Sequence, residues 1–237
     1  MKITPIKTRI FEENEDLILF VLKHVKNIPE KSILVITSKI VALSEGRTVS
    51  DISISSKEKL IKAESDFAIK TKHVFLTIRN NLVMADAGID ESNAKGKLIL
   101  LPKDSFRTAE QVRSKLCKYF KIKKLGIIIS DSGLLPLRAG VIGIAQGYVG
   151  FEGVKSYKGK KDIFGRKFIY SSTNIADSLA TGATLCMGEG NEQQPIALII
   201  DAPVVFTNKI NKKELEINSK EDIFYPFLKN LLNDKKR

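Results

Sequence analysis

Sulfur and imidazole side chains are scarce in this sequence of 237 residues, which contains two cysteines, two histidines and no tryptophan. Cys117 and Cys186 form no CxxC pair, and neither His24 nor His73 stands beside them. Zinc centres, iron–sulfur clusters and Cys–His nucleophilic sites need such clusters, so we expect none of them here. Two cysteines are too few for the disulfide framework of a small secreted protein, so we expect this protein to be cytoplasmic.

Long hydrophobic runs are missing too. The apolar runs at residues 17–22 and 195–200 are much shorter than the roughly 18 residues that a membrane-spanning helix needs. The first residues, MKITP, lack the continuous apolar stretch of a secretory signal peptide. We therefore expect no membrane partner.

Basic side chains outnumber acidic ones by 39 to 27, which gives a formal net charge of +12. Such a balance can indicate nucleic-acid binding. The lysines are scattered, however, and the sequence has no RNP-like aromatic motif, zinc finger or Arg/Gly-rich tail. We interpret the charge as a solvated surface that favours anionic substrates, and we expect no nucleic-acid partner. A non-catalytic nucleotide- or RNA-binding protein is the alternative from another functional class.

The hydrophobic content of 43% is enough for a core, and the spacing of these residues predicts intermixed strands and helices. Strands are predicted at residues 2–6, 32–37, 82–84, 125–129, 167–170 and 195–200, and helices at 15–25, 57–70, 105–119, 221–233 and after a cap at Thr173. We expect an α+β (mixed α/β) fold with mixed sheets and flanking helices. It would be a single domain, residues 1–237, with two lobes, 1–122 and 123–237.

Acidic residues follow apolar segments at three places. Asp90 precedes Ser92 and Asn93, Asp131-Ser132 follows the strand predicted at 125–129, and Glu189 begins the segment EGNE. Each acid alone is typical of a helix cap or a surface charge. Together, carboxylate, hydroxyl and amide oxygens without sulfur or imidazole suit Mg²⁺ or Mn²⁺, and such ions usually accompany phosphates.

Glycine is concentrated in the same part of the chain, since twelve of the fifteen glycines lie between Gly126 and Gly190. Their spacing matches neither the phosphate-binding loop GxxxxGK[ST] nor the dinucleotide fingerprint GxGxxG. A Walker-type or Rossmann-type enzyme is therefore disfavoured, and the sequence favours another kind of phosphate and metal site.

Several motifs in one order, rather than any single motif, indicate a family. They are ITSKIV (36–41) with EGR (45–47), AGID (87–90) with Ser92-Asn93, LLP (100–102), Asp131-Ser132 with Pro136 and Arg138, YKGKKD (157–162) with Gly165-Arg166, Ala176-Asp177, and MGE (187–189). Across residues 1–202 the chain resembles the coenzyme F420:γ-glutamyl ligase family, which adds glutamate to a deazaflavin cofactor precursor with GTP.

The resemblance implies a set of site residues. It implies metal ligands at Asp90, Asp131, Ser132 and Glu189, and nucleotide contacts at Ser38, Lys39, Asn93, Met187, Gly188, Glu189 and Gly190. It also implies Mg²⁺ or Mn²⁺ as cofactor, GTP, L-glutamate and coenzyme F420-0 as substrates, and a homodimer with the active site near the subunit interface. We expect phosphoryl transfer to give an acyl phosphate, with Asp131 and Arg138 as catalytic residues; Arg138 would hold phosphate or the acceptor carboxylate.

The chain departs from the family pattern at three places. Leu43 stands where the family usually has lysine, and SGLLPLR (132–138) stands where it usually has TFGRPWR. Residues 9–12 match the family's proline-containing nucleotide segment poorly. These positions belong to the nucleotide and acceptor pockets, so folate as the acceptor is the alternative with the same chemistry.

Overall fold

The computed structural model describes residues 1–233, and side chains up to residue 229. The last four residues, which belong to the predicted domain and its second lobe, lie outside this range. In chain order the elements are β1 (Lys2–Ile6), α1 (Leu17–His24), β2 (Ser32–Thr37), α2 (Ser38–Ser44), β3 (Thr48–Val49), α3 (Ile54–Ala63), β4 (Phe67–Lys70), β5 (Phe75–Arg79), β6 (Leu82–Ala85), a 3₁₀ turn (Asp86–Gly88), β7 (Leu98–Ile99), α4 (Ser105–Phe120), β8 (Leu125–Leu134), β9 (Val141–Val149), β10 (Val154–Ser156), β11 (Ser172–Asn174), α5 (Ile175–Met187), β12 (Ile196–Ile200), a second 3₁₀ turn (Ser219–Glu221) and α6 (Tyr225–Asn233).

The central sheet has five strands in the order β1-β12-β2-β8-β9. β2 and β8 are parallel, with Thr37 opposite Ser130, and the other neighbours are antiparallel. β2 is buried on both faces, as its continuous apolar run predicts. The parallel pair therefore ends with both carboxyl ends at one edge of the sheet.

Helices cover the sheet on both faces. Phe20 of α1 and Leu116 of α4 pack with Leu34 and Ile36 in one core cluster. α5 lies on the other face, where Ala180 and Ala183 pack with Ile33 and Val35. Because β2 contributes alternate residues to the two clusters, it is the centre of a helix–sheet–helix arrangement.

The chain between α2 and α4 forms smaller units, namely the pair β3–β7 and the sheet β4-β5-β6. α3 packs Ile61 onto Phe75 and Leu98. The helix predicted over 57–70 is wrong beyond Ala63, because residues 67–70 pair with β5 as strand β4. Tertiary pairing decides this segment, since its amphipathic pattern suits both structures.

The predicted mixed fold of several sheets with flanking helices is confirmed. β1 and β2 lie within their predicted bounds. The strand predicted at 167–170 is wrong, since this segment has only an isolated bridge between Lys161 and Lys167. The predicted cap of α5 is also wrong, because Asn174 rather than Thr173 caps the helix. The central sheet takes β1 and β2 from before residue 122 and β8, β9 and β12 from after it, so the predicted lobes do not correspond to separate sheets. The number of domains stays a prediction.

Within the described residues, no helix combines the length and the apolar character needed to cross a bilayer.

Candidate active site

Ser38 and Asp131 meet at the edge where the parallel strands end. The register places Thr37 opposite Ser130, so the residues that follow them, Ser38 and Asp131, lie side by side. The Ser38 hydroxyl donates a hydrogen bond of 3.0 Å to Oδ1 of Asp131, across 93 residues of sequence. The parallel register therefore brings one predicted nucleotide residue to one predicted metal ligand.

The sequence predicts that β8 stops before Asp131, but the strand continues to Leu134. A bulge between Ile129 and Ser130 shifts the register, and Asp131 and Ser132 then pair with β9. The polar residues thus lie on a strand rather than in a turn, because β9 supplies backbone partners to the whole segment. A strand holds these side chains more firmly than a loop would.

Ser132 reaches a different partner from Asp131. Its hydroxyl lies 2.9 and 2.8 Å from the two carboxylate oxygens of Glu189. Glu189 follows α5, on the opposite face of the sheet from α2. The predicted metal ligands therefore form two groups, because neighbouring residues of a strand point to opposite faces.

Asp90 is held by Lys39 and Ser92. Lys39 Nζ lies 2.7 Å from Asp90 Oδ2 and donates to the Ser92 carbonyl at 2.9 Å and the Ser92 hydroxyl at 3.0 Å. The Ser92 N–H and hydroxyl donate to the two Asp90 oxygens at 2.7 and 2.8 Å. Lys39 begins α2 next to Ser38, so this network joins Asp90 to the ends of the parallel strands.

The two aspartates have opposite pKa shifts. Burial acts to raise the pKa of Asp90, but the Lys39 ammonium and Ser92 together hold it below its usual range. Burial raises the pKa of Asp131 to about 6. The Asp90 charge also acts to raise this pKa, whereas the hydrogen bonds from the Ser38 hydroxyl and the Ser132 N–H act to lower it. Ser38 bonds Asp131 and the adjacent Lys39 pairs with Asp90, so the start of α2 links the two aspartates. Their shared metal site stays a prediction.

The segment after α5 closes over this site. The Asn93 amide donates to the Gly190 carbonyl at 3.0 Å, and Gly190 N–H donates to Glu192 at 2.8 Å. Gly188 has a φ of 81°, which favours glycine. The predicted nucleotide residues Asn93 and Gly190 are thus in contact, whereas Glu189 contacts Ser132 and the Met187 side chain is buried in the core.

Arg138 lies apart from these residues. It is exposed in the turn between β8 and β9, beyond the last strand pair, Leu134 with Val141. Within residues 1–229 its side chain makes no hydrogen bond or ion pair. Its predicted role at the phosphate stays a prediction.

The departures from the family pattern have structural counterparts. Leu43 packs against the core, where a lysine would bury its charge. Arg9 forms an ion pair with Glu15 and lies 5.1 Å above the Phe20 ring. Both side chains are committed to protein contacts.

Sequence reasoning missed Ser92 as a partner of both Lys39 and Asp90, and Thr77, which supports the turn before Asp90. The spacing Asp90-x-Ser92 was a usable signal, because an aspartate often accepts a hydrogen bond from the backbone two residues later. Thr77 gave no signal, since it lies in an ordinary alternating strand and meets the turn only in the folded chain.

The oxygen donors fit a Mg²⁺ or Mn²⁺ ion held jointly with a ligand. Among the described residues, no three carboxylate, imidazole or thiol side chains are close enough to enclose an ion alone. Mg²⁺ usually needs only one or two carboxylates, because phosphate and water oxygens complete its shell. The neighbouring Asp90 and Asp131 are such a pair.

Two cavities lie elsewhere. The larger, about 290 Å³, is lined by Lys155, Lys160, Ile175 and six other residues. The second, about 230 Å³, lies beside Arg47 and Leu100. No candidate site residue lines either cavity.

Known proteins resemble this chain over most of its length. A sequence model of the F420-0:gamma-glutamyl ligase family matches residues 5–201, well over half of the chain. Coenzyme F420:L-glutamate ligase from one strain of Methanococcus maripaludis is 39% identical over 177 residues, which are 74% of this chain and 68% of that protein. The protein of the same name from another strain is 32% identical over 94% of this chain and 97% of its own length. The one from Methanocaldococcus jannaschii is 34% identical over 84% and 76%. The resemblance is confirmed, and the chain belongs to the F420-0:gamma-glutamyl ligase family of enzymes.

Proposed function

We propose that this protein joins L-glutamate to the carboxylate of coenzyme F420-0 and uses GTP to activate that carboxylate. Family membership supports the ligase class, and the relatives are named for the substrates coenzyme F420 and L-glutamate. The choice of GTP rests on the family resemblance of the sequence.

The reaction needs activation because a carboxylate is a poor electrophile. An acceptor carboxylate oxygen attacks the terminal phosphorus of GTP, the bond to the β-phosphate breaks, and GDP leaves. The glutamate amine then attacks the acyl carbon, loses a proton and displaces inorganic phosphate. Both steps need charge stabilisation and positioning, and no side-chain nucleophile.

Asp90 and Asp131 would hold the divalent cation. Ser132 and Glu189 contact each other as a separate group, and their role as metal ligands stays a prediction. Such an ion neutralises charge on phosphate oxygens during transfer. The observation that supports the proposal is the link at the start of α2, where Ser38 bonds Asp131 and Lys39 pairs with Asp90 at the ends of the parallel strands β2 and β8.

Lys39 and Ser38 would contact the nucleotide phosphates. Both stand at the amino-terminal end of α2, directly after a buried strand. The Lys39 ammonium is 27% exposed, so solvent and ligands reach it. A lysine serves as a mobile point charge for phosphate, and Lys39 already lies beside the acid pair.

We also propose a homodimer. Segment 163–170 carries apolar side chains with few protein contacts: Ile163, Phe164 and Tyr170 are 92, 89 and 91% exposed. Apolar surface of this kind favours association. A second copy of the chain would cover it.

The test is a transfer assay. Purified protein, Mg²⁺ or Mn²⁺, glutamate and GTP are incubated with F420-0, and mass spectrometry measures glutamyl increments. Parallel reactions replace GTP with ATP and F420-0 with folate. A glutamyl product that requires F420-0 and GTP supports the proposal. A product that forms with folate but not with F420-0 contradicts the proposed acceptor and supports the folate alternative. No product with any acceptor, together with salt-dependent RNA binding, would contradict it.

A further inference from the structure

The turn before Asp90 has an unusual backbone. Asp86, Ala87 and Gly88 are consecutive residues with positive φ, 49°, 55° and 72°. Residues with a Cβ rarely adopt this left-handed conformation, because it crowds the Cβ against the backbone. A Cβ added at Gly88 would lie 2.6 Å from the Leu101 side chain. Surrounding contacts must therefore maintain the turn.

Thr77 of β5 provides a contact at the centre of the turn. Its hydroxyl accepts a hydrogen bond from Ala87 N–H at 2.9 Å and donates one to the Met84 carbonyl at 2.8 Å. Thr77 and Ala87 are both fully buried. Water therefore offers neither group an alternative partner, and loss of the hydroxyl leaves the Ala87 N–H unsatisfied.

Other groups fix the two ends of the turn. Asp86 accepts a hydrogen bond of 2.7 Å from Phe75 N–H. Lys57 of α3 lies 3.5 Å from Asp86 and 2.7 Å from Glu91, so it spans the segment. Arg79 donates to the Ala87 carbonyl at 3.4 Å. Among the side chains that hold the turn, Thr77 is uncharged, so replacing it leaves the charges around the turn unchanged.

We propose that Thr77 is a positioning residue for Asp90, and this inference rests on the proposed function, in which Asp90 binds the cation. Two residues separate Ala87 from Asp90, and Asp90 is joined to Ile99 by two backbone hydrogen bonds of 2.9 Å. The turn therefore sets where the Asp90 carboxylate lies relative to Asp131. Without the hydroxyl, the turn relaxes toward ordinary φ values and the carboxylate moves.

The test compares Thr77→Val, which keeps the side-chain shape, with Thr77→Ser, which keeps the hydroxyl. Mn²⁺ binding is measured by electron paramagnetic resonance on the full chain with a non-hydrolysable GTP analogue, with folding checked by circular dichroism. We expect T77V to weaken Mn²⁺ binding by about 10- to 100-fold, as loss of a partner behind a metal ligand does, and T77S to bind nearly as wild type. Thr71→Val, which removes a hydroxyl that bonds Val74 in the same small sheet, should leave binding unchanged.

Activity gives a second readout. T77V should raise the KM for Mn²⁺ and recover kcat at saturating Mn²⁺, whereas a general loss of folded protein would lower kcat alone. If T77V does not fold, Thr77→Cys replaces it, because sulfur is a weak acceptor of similar size.

Two contrary outcomes are distinguishable. Folded T77V with wild-type Mn²⁺ affinity, beside an Asp90→Asn variant that binds weakly, overturns the role of Thr77 and leaves the proposed function standing. Wild-type protein that binds no Mn²⁺, or binds it equally well after D90N, overturns the metal site and this inference with it.

Discussion

At the scale of single residues, the site is defined by two carboxylates in different surroundings. Asp90 has an ammonium partner, Lys39, at 2.7 Å. The only side-chain hydrogen bond to Asp131 among the described residues comes from the Ser38 hydroxyl, and burial raises the pKa of Asp131 to about 6. Both groups are still ionised at pH 7, and a divalent cation would stabilise the charge that Asp131 carries.

Replacing Asp131 by Asn tests this residue. Turnover should fall by more than about 100-fold, because the variant loses one of two charged ligands, while the fold persists or gains stability from loss of a buried charge. Steady-state rates and thermal unfolding measure the two effects. Asp16→Asn, which also replaces an aspartate but keeps the cap of α1, is the matched control and should leave turnover unchanged. Wild-type rates in D131N would remove Asp131 from the site.

Replacing Lys39 by Met should change two affinities in opposite directions. Mn²⁺ binding should strengthen several-fold, because Asp90 loses its competing ammonium, and the KM for nucleotide should rise, because the phosphates lose a point charge. Calorimetry and kinetics measure these separately. Lys95→Met, which breaks an exposed pair with Glu12, should leave both unchanged. A parallel loss of both affinities would contradict the role of Lys39.

The sequence suggested candidate residues of the site but not their contacts. Asp90, Asp131 and Lys39 were identified from motifs; the structure pairs Lys39 with Asp90 and Ser38 with Asp131, and their roles stay predictions. The hydrogen bonds from Lys39 to Ser92, and with them the Lys39–Asp90 pair, were missed because Lys39 and Ser92 are 53 residues apart, and spacing along the chain carries no information on such contacts. The Thr77 hydroxyl was missed for the same reason.

At the scale of elements, the first residues of α4 connect this helix to the segment around Lys212 near the end of the chain. Asp104 caps α4 by accepting from Arg107 N–H at 2.9 Å and pairs with Lys212 at 3.0 Å. Burial acts to raise the pKa of Asp104, but the Arg107 N–H and Lys212 outweigh it, so the pKa lies below its usual range. The ionised form therefore stabilises the fold.

The stability of α4 should depend on pH. A lowered pKa means that the contribution is complete above about pH 4, the ordinary value for Asp, and disappears as pH falls through the folded-state pKa. Asp104→Ala should cost about 1 kcal/mol at pH 7, and Asp104→Asn less, because Asn also caps helices. Urea unfolding at pH 7, 5 and 3 should show the gap between wild type and D104N closing toward pH 3. A constant gap would contradict the assignment.

Elements with a strong period were predicted well, and their ends were not. β2 was correct because its continuous apolar run leaves little choice, and β1 also has its predicted bounds. β8 was predicted too short because Ser130-Asp131-Ser132 is typical of a turn, whereas pairing with β9 keeps it extended. Residues 67–70 were assigned to a helix because strand β4 depends on its partner β5. Local pattern therefore fails where a distant partner decides.

At the scale of the whole molecule, the site depends on the complete central sheet. β2 precedes the smaller sheets and β8 follows them, yet their parallel pairing creates the edge that carries Ser38 and Asp131. Such a long-range pair has to wait for both halves of the chain. The metal site and the sheet should accordingly form together.

The proposed dimer is also tested at this scale. Light scattering after size-exclusion chromatography should give twice the chain mass of 26.4 kDa. Phe164→Ser with Ile163→Ser should shift the protein toward monomer, because apolar burial is lost. Ile54→Ser, at an equally exposed position on α3, should leave the mass unchanged. A monomeric wild type at micromolar concentration would contradict the dimer.

The most direct test of the account is anomalous diffraction at the manganese edge from crystals grown with Mn²⁺ and a non-hydrolysable GTP analogue. The account predicts a manganese peak bonded to both Asp90 and Asp131 and to the terminal phosphates of the nucleotide. A peak that touches neither carboxylate, with the nucleotide bound elsewhere, would contradict it.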